Sequence, residues 1–352
     1  MKNLFLITIS IFLISCNENG GSSTSTSRGV TSNYYMYITN FDDDTIDVKK
    51  LNKNTRELSD IETQLTCDRP NMMDIHPNEE LLFVACSGDD SIIAYEINQN
   101  TGELSELFET TSVGSYPHGL EVSGDGKYLY VSLESDAEVG AFSINKSSGE
   151  LTLIGKYTPG NAPHDVLVVG DYVYVANYSS LSNSVSAFSI NGDGSLSKIE
   201  DETTADGSRI LTSYGDYLFC VNQVDDSVSF LKRNPINGEL TKLGDYATGD
   251  SPTSVTVMGN IAYVANSADD TVSVFEIDTD SEILNLVINS DVGDKPIHLI
   301  GIAALDTLIS LNETDEDLSS YSKNSDGSVT ATGSTAYTGA KPQHGVYVSI
   351  TN

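Results

Sequence analysis

From residue 33 onward, hydrophobic and polar positions alternate with a period of two, and no stretch sustains the 3.6-residue period of a helix. One short β run, mostly led by tyrosine or phenylalanine, recurs along the chain. It reads Tyr37-Ile-Thr-Asn40, Phe83-Val-Ala-Cys86, Tyr130-Val-Ser-Leu133, Tyr174-Val-Ala-Asn177, Phe219-Cys-Val-Asn222, Tyr263-Val-Ala-Asn266 and Ile309-Ser-Leu-Asn312. Successive starts are 46, 47, 44, 45, 44 and 46 residues apart. Each run is followed by a turn and an alternating strand such as Asn183-Ser-Val-Ser-Ala-Phe-Ser-Ile190, then by an Asn/Gly turn and a shorter strand, as at Asn237-Gly-Glu-Leu240. Each is preceded by a further strand, often opened by proline, as in Pro163-His-Asp-Val-Leu-Val168. Four antiparallel strands per unit and seven units predict an all-β fold, a seven-bladed β-propeller. The chain enters at a second strand, Tyr34 to Asn40, and leaves with an unpaired first strand from Pro342 to Val348, which would complete the first blade and close the ring.

That topology locates candidate chemistry. The first strand of a blade is innermost, so its start and the end of the antiparallel second strand lie on one face of the ring. Aligning the seven first strands by the apolar pair that follows gives one polar slot: Asn71, His118, His164, Ser208, Thr253, His298 and His344. Arg69, Arg209, Lys295 and Lys341 fall beside it, so the rim is expected to bind an anion. His118 and His164 would sit on neighbouring blades, as would His298 and His344, but no carboxylate or cysteine recurs beside them at ligand spacing, and no metal is assigned. The acidic turns after the second strands, among them Asp89-Asp90, Asp225-Asp226 and Asp269-Asp270, are expected to bond their own backbone two residues on, with calcium as the minor alternative.

Composition narrows the picture. The chain has 352 residues, 51 acidic and 18 basic, for a net charge of −33. Nucleic-acid binding is excluded, because it requires a basic face. Lys2, the apolar run Leu4 to Ile14 and Ser15-Cys16 have the layout of an export signal, too short to span a bilayer. The ending Leu13-Ile14-Ser15-Cys16 resembles the bacterial lipobox, which implies a signal peptide over 1–15, lipidation of Cys16 and a cell-envelope location. Asn17 is not the aspartate that retains such proteins at the inner membrane, so the outer membrane is expected. Residues 16–32 are Gly/Ser/Thr-rich and read as a flexible tether to a propeller over 33–352. Cys67, Cys86 and Cys220 leave at least one thiol unpaired; Cys67 and Cys86, expected on neighbouring strands of one hairpin, can pair if their Cα atoms approach within about 7 Å. A closed ring exposes only short strand edges, so a monomer is expected.

The Tyr-Val-Ala-Asn strands, Pro-His openings and Gly-Glu-Leu turns resemble the lactonase-like seven-bladed propellers, a group that includes phosphogluconolactonase-type and carboxymuconate-cyclising enzymes and the wider Tyr-Val-Thr-Asn repeat proteins. In the enzymatic members a Gly-Pro-Arg-His strand start meets an Asn-Glu strand end at the channel mouth. The resemblance implies that the arginine holds a carboxylate or lactone oxygen and that the glutamate or a histidine handles protons. The matching segments here are Gly207-Ser208-Arg209-Ile210 and Asn222-Gln223. Arg209 is retained, the glutamate position holds Gln223, and the histidine position holds Ile210. The primary expectation is therefore a binding propeller for a small anionic ligand, a glycan or an envelope protein, contacted by Arg69, Asn71, Gln223, Lys295, His298, Lys341 and His344. The alternative is a lactone hydrolase or isomerase with Arg209 as clamp, His118 or His164 as base and no cofactor. A purely structural envelope protein is the third reading.

Overall fold

The computed structural model describes residues 32–179 and 183–351. The expected signal peptide, Cys16 and nearly all of the tether lie outside the described residues. From Ser32 onward the chain forms seven four-stranded antiparallel sheets, each ordered from the centre of the ring outward. We number the blades by their second strands. The last strand, Pro342–Thr351, pairs with Ser32–Asn40 and supplies the inner strand of blade 1, with Tyr37 opposite Val346. The all-β, seven-bladed, terminally closed fold is as the repeat predicted. No helix among the described residues is long and apolar enough to cross a membrane.

The tyrosines that lead the second strands explain why the repeat carries them. Their rings are fully buried between blades, and each hydroxyl donates to a glycine carbonyl in the Gly-containing turn of the next blade: Tyr37 to Gly102, Tyr130 to Gly194, Tyr174 to Gly238 and Tyr263 to Gly327, at 2.8–3.1 Å. Gly238 must be glycine on two counts. Its φ is +76°, and a Cβ there would come within 2.2 Å of the Tyr172 ring. Apolar clusters accordingly lie between adjacent sheets, as where Phe219 and Phe230 of blade 5 pack with Val264 and Phe275 of blade 6.

Two features shape the face where the inner strands begin. First, every inner strand carries a one-residue bulge at its start. In blade 5, for example, Ser208 pairs with Asn222 and Leu211 with Cys220, so Arg209 and Ile210 together oppose Val221. Such bulges re-aim side chains at the end of a strand. Second, the acidic turns do not bond their own backbone two residues on, as expected; they clamp the connectors between blades. Asp89 accepts from Asp68 N and Asp90 from Tyr116 N; Asp225 accepts from Asp206 N and Asp226 from Ser251 N. The first aspartate of a pair holds the connector entering its own blade, and the second holds the connector entering the next. These carboxylates are thus engaged by backbone amides, and among the described residues no group of three His, Cys, Asp or Glu side chains is placed to hold a metal.

Cys67 and Cys86 form a disulfide with Cα atoms 5.7 Å apart. Cys67 lies in the connector before Pro70–Ile75, not on a strand as expected, and Cys86 ends the second strand. Cys220 is a free, buried thiol.

Candidate functional site

The residue just before each inner strand has a positive φ: Arg69, Tyr116, Ala162, Gly207, Ser251, Lys295 and Lys341, between 49° and 84°. Its carbonyl accepts from the first residue past the second strand, so Ser87 N donates to Arg69, Glu134 N to Tyr116, Gln223 N to Gly207 and Glu313 N to Lys295. Each blade therefore presents three positions to the channel mouth: the residue before the inner strand, the bulge residue, and the residue after the second strand; in blade 5 the first of these is Gly207, which has no side chain.

The bulges split the slot inferred from sequence. Judged by strand pairing, Asn71, His118, His164 and Thr253 hold the first bulge position, and blade 5 fills it with Arg209, not Ser208. His298 and His344 sit one residue deeper, behind Ile297 and Gln343. The apolar pair used for alignment cannot register a bulge, which inserts a residue without changing the pattern after it.

A cavity of about 440 Å³ opens at this mouth, lined by Asn71, His118, His164, Arg209 and Lys341 of the expected residues. Gln223 stands behind Arg209: its Oε1 accepts from Arg209 Nη1 at 3.0 Å and from the Tyr178 hydroxyl at 3.1 Å. Lys295 lies at the rim, paired with Glu313 at 2.9 Å. Arg69 is exposed on the rim beside the Phe41 ring. His298 and His344 lie against each other deeper in the wall with centroids 4.2 Å apart and planes tilted by 51°, and His298 Nε2 donates to the Gly345 carbonyl. The structure thus gathers five of the expected residues at the cavity, supports them with Gln223, and leaves the others at the rim or in the wall.

The cavity also holds residues the sequence reading passed over: Glu134, Glu313, Tyr116, Tyr178, Phe41 and Gln343. Both glutamates occupy the position of Gln223, in blades 3 and 7. The sequence signalled Glu313, because Asn312-Glu313 is itself an Asn-Glu strand end, but Glu134 follows Leu133 and carries no such motif.

The His118 and His164 rings lie against each other with centroids 3.7 Å apart and planes tilted by 49°. His118 donates Nδ1–H to the His164 carbonyl at 3.0 Å, leaving Nε2 as its acceptor, while His164 Nδ1 is buried without a partner among the described residues. Burial, reinforced by the Arg209 charge, pulls His118 down to about 3; burial, His118 and Arg209 hold His164 well below the ordinary range. Both imidazoles are neutral at physiological pH. Burial lowers the Arg209 pKa from its usual value against the pull of Tyr178, Glu134 and Glu313, and its Nε is buried without a partner among the described residues. Burial raises Glu134, and the Arg209 charge opposes that shift. The mouth therefore joins a partly desolvated guanidinium that forms no ion pair among the described residues, a carboxylate of raised basicity and two neutral imidazoles.

At the opposite end of the channel a second cavity of about 430 Å³ is lined by Ile75, Leu299, Ile300 and Val346 with Asp74. It brings no arginine or lysine to its wall.

Comparison with known proteins agrees with this architecture. A family model described as "Lactonase, 7-bladed beta-propeller" matches residues 31–168 and 165–257. A search of curated proteins finds no match. Among solved structures, a candidate 6-phosphogluconolactonase from Bacteroides uniformis superposes with a TM-score of 0.82 at 15% identity, covering 90% of this chain and 100% of that one. A periplasmic gluconolactonase from Pseudomonas aeruginosa gives 0.80 at 16% identity, over 91% of this chain and 100% of that one. Hydrazine synthase from Kuenenia stuttgartiensis gives 0.59 at 17% identity, over 84% and 94%. At such identities these structures establish the shared fold.

Proposed function

From the premise that this chain belongs to the lactonase family of seven-bladed β-propellers, we propose that its channel mouth binds and hydrolyses a small lactone. The observation that carries this reading is the presence together, in one cavity of about 440 Å³, of the Arg209 guanidinium and the Glu134 carboxylate, each shifted by burial and neither in a salt bridge among the described residues. Arg209, braced by Gln223, donates to the lactone carbonyl oxygen and stabilises the charge that grows there as the carbonyl carbon becomes tetrahedral. Glu134 accepts a proton from the attacking water. The C–O bond of the ring then breaks, the ring oxygen leaves as a hydroxyl with a proton returned from Glu134, and the new carboxylic acid releases its own proton to solvent, leaving a carboxylate against Arg209. Tyr116, Tyr178 and Phe41 provide aromatic walls for a ring-shaped ligand. His118 and His164 serve as neutral hydrogen-bonding groups in this scheme, because a base pulled down to about 3 accepts protons poorly near pH 7.

Gln223 at the family's glutamate position favours a second reading, in which the mouth captures an anionic ligand, a glycan or a protein without turning it over. The chain's export-like N-terminus and its disulfide support a site of action in the cell envelope, with Cys16 as a lipid anchor at the outer membrane; the periplasmic gluconolactonase of similar fold agrees with that placement.

A lactone panel decides between the two. Hydrolysis above the buffer rate by the wild type, with kcat/KM falling about 100–1,000-fold in Arg209→Ala and in Glu134→Gln, is expected. No turnover in the wild type would sink the enzyme reading and leave ligand capture.

A further inference from the structure

The outer rim of the ring is uneven in charge. The outermost strands of blades 1 to 5 all carry charged side chains, from Asp60 and Glu62 in Leu58–Leu65 to Lys242 and Asp245 in Leu240–Ala247. The outermost strands of the next two blades differ. Blade 7 presents Val329–Tyr337 with no charge, and blade 6 presents Ile283–Asp291 with none before its last residue. On a chain of net charge −33 this is an uncharged sector two blades wide.

Blade 6 is also apolar there. Each outermost strand of blades 1 to 6 bulges against its third strand, and in blade 6 the bulge residue is Val287, between Leu286 opposite Phe275 and Ile288 opposite Val274. At those two flanking registers blade 1 places Asp60 and Glu62, and blade 4 places Lys198 and Glu200. Leu286 is 53% exposed, Ile288 44% and Val287 41%. The outward edge of this strand has no sheet partner, and contiguous aliphatic exposure of this kind marks an interaction surface.

We infer that this sector docks a second copy of the same chain, the Ile283–Asp291 strands meeting about a two-fold axis. The argument is electrostatic. Copies carrying −33 each repel across any contact that brings their acidic faces together, and here the centre of the contact brings none. A two-fold contact places the same apolar strip on both sides, which makes it self-complementary. The bulge at Val287 twists the edge, so the association rests on burying Leu286, Val287 and Ile288 and not on continuing the sheet. At the ends of the strip Glu282 is paired with Lys232 and Asp291 carries the remaining acidic charge; salt screens the repulsion between two chains of net charge −33, and the dimer strengthens as salt rises.

Sedimentation of the wild-type chain from 1 to 100 μM, at low and high NaCl, tests this. A concentration-dependent dimer that tightens with salt is expected. The double variant Leu286→Lys/Ile288→Lys, checked for an unchanged circular dichroism spectrum, weakens it at least about tenfold. Leu153→Lys, an equally exposed position on blade 3, leaves it unchanged. A wild type monomeric at 100 μM, or a dimer indifferent to the double variant, overturns the inference. So does a monomer that instead binds phosphatidylcholine vesicles, which would assign the sector to a lipid surface.

Discussion

At the scale of single residues, the mouth is built from side chains whose ionisation burial has changed. Glu134 tests this most directly. Its carboxyl is raised by burial, so as a base it becomes competent only when pH climbs above the usual carboxylate range. Lactonase kcat/KM is therefore expected to rise through an acid limb placed above the ordinary glutamate pKa, and Glu134→Gln removes that limb. A wild-type profile flat from pH 4.5 to 7.5, after subtraction of spontaneous hydrolysis, would count against Glu134 as the base. Arg209 was legible in the sequence because a strand-start motif surrounds it. Glu134 was not: it follows Leu133, where the repeat usually ends in asparagine, and only the ring brings blade 3 round to blade 5.

At the scale of elements, the connectors decide where the mouth side chains point. Five of the seven second strands end in asparagine, and the amide of such a residue bonds to Ser or Thr groups of the next strand, as Asn177 does to Ser184 and Ser186. Blade 2 ends instead in Cys86, whose disulfide to Cys67 ties the connector that carries Arg69. Asn71 Nδ2 donates to Ser87 Oγ beside it at 3.0 Å. Closing a loop with a sequence separation of 19 stabilises the fold by about 3 kcal/mol in the chain-entropy account. The double variant Cys67→Ser/Cys86→Ser is expected to lose about that much in denaturant unfolding, and a loss under about 0.5 kcal/mol would show that the connector is held by Asp44 and Asp89 alone. The strands themselves were legible from alternation. The bulges were not, because an inserted residue leaves the downstream alternation intact, and so Ser208 was placed in the slot that Arg209 fills.

At the scale of the whole molecule, the inner strands are bracketed across blade boundaries by side chains that accept backbone amides. Asp74 accepts from Val122 N, Glu121 from Val168 N, Asp165 from Leu211 N, and Ser254 from Leu299 N. Burial raises the three carboxyls, Asp165 to about 7. A carboxyl that ionises near 7 when folded and near 4 when unfolded keeps its proton longer in the folded ring. Its contribution to stability is therefore present at low pH and lost as pH rises through that window. The buried histidines act in the opposite sense: they stay neutral when folded and take up protons on unfolding, so stability falls as pH drops below about 6.5. The two slopes oppose each other, which makes a difference measurement the informative one. The melting temperature of Asp165→Asn relative to wild type is expected to rise between pH 5 and pH 8, because only the wild type bears the cost of an ionised buried carboxylate at the upper end. A difference independent of pH would show that Asp165 does not titrate in this range.

The number of blades, their four strands and the closure by the last strand follow from the order of residues, because strand alternation and turn chemistry are local and repeat seven times. Chain direction also puts Arg209, His118 and His164 on one face, since it fixes which strand ends share a side. Which side chains face one another depends on how the ring closes. Glu134 shares a cavity with Arg209, His118 lies against His164, and Leu286 lies in an uncharged sector because the ring turns residues distant in the chain toward a common centre or along a common rim, a relation that no local pattern encodes.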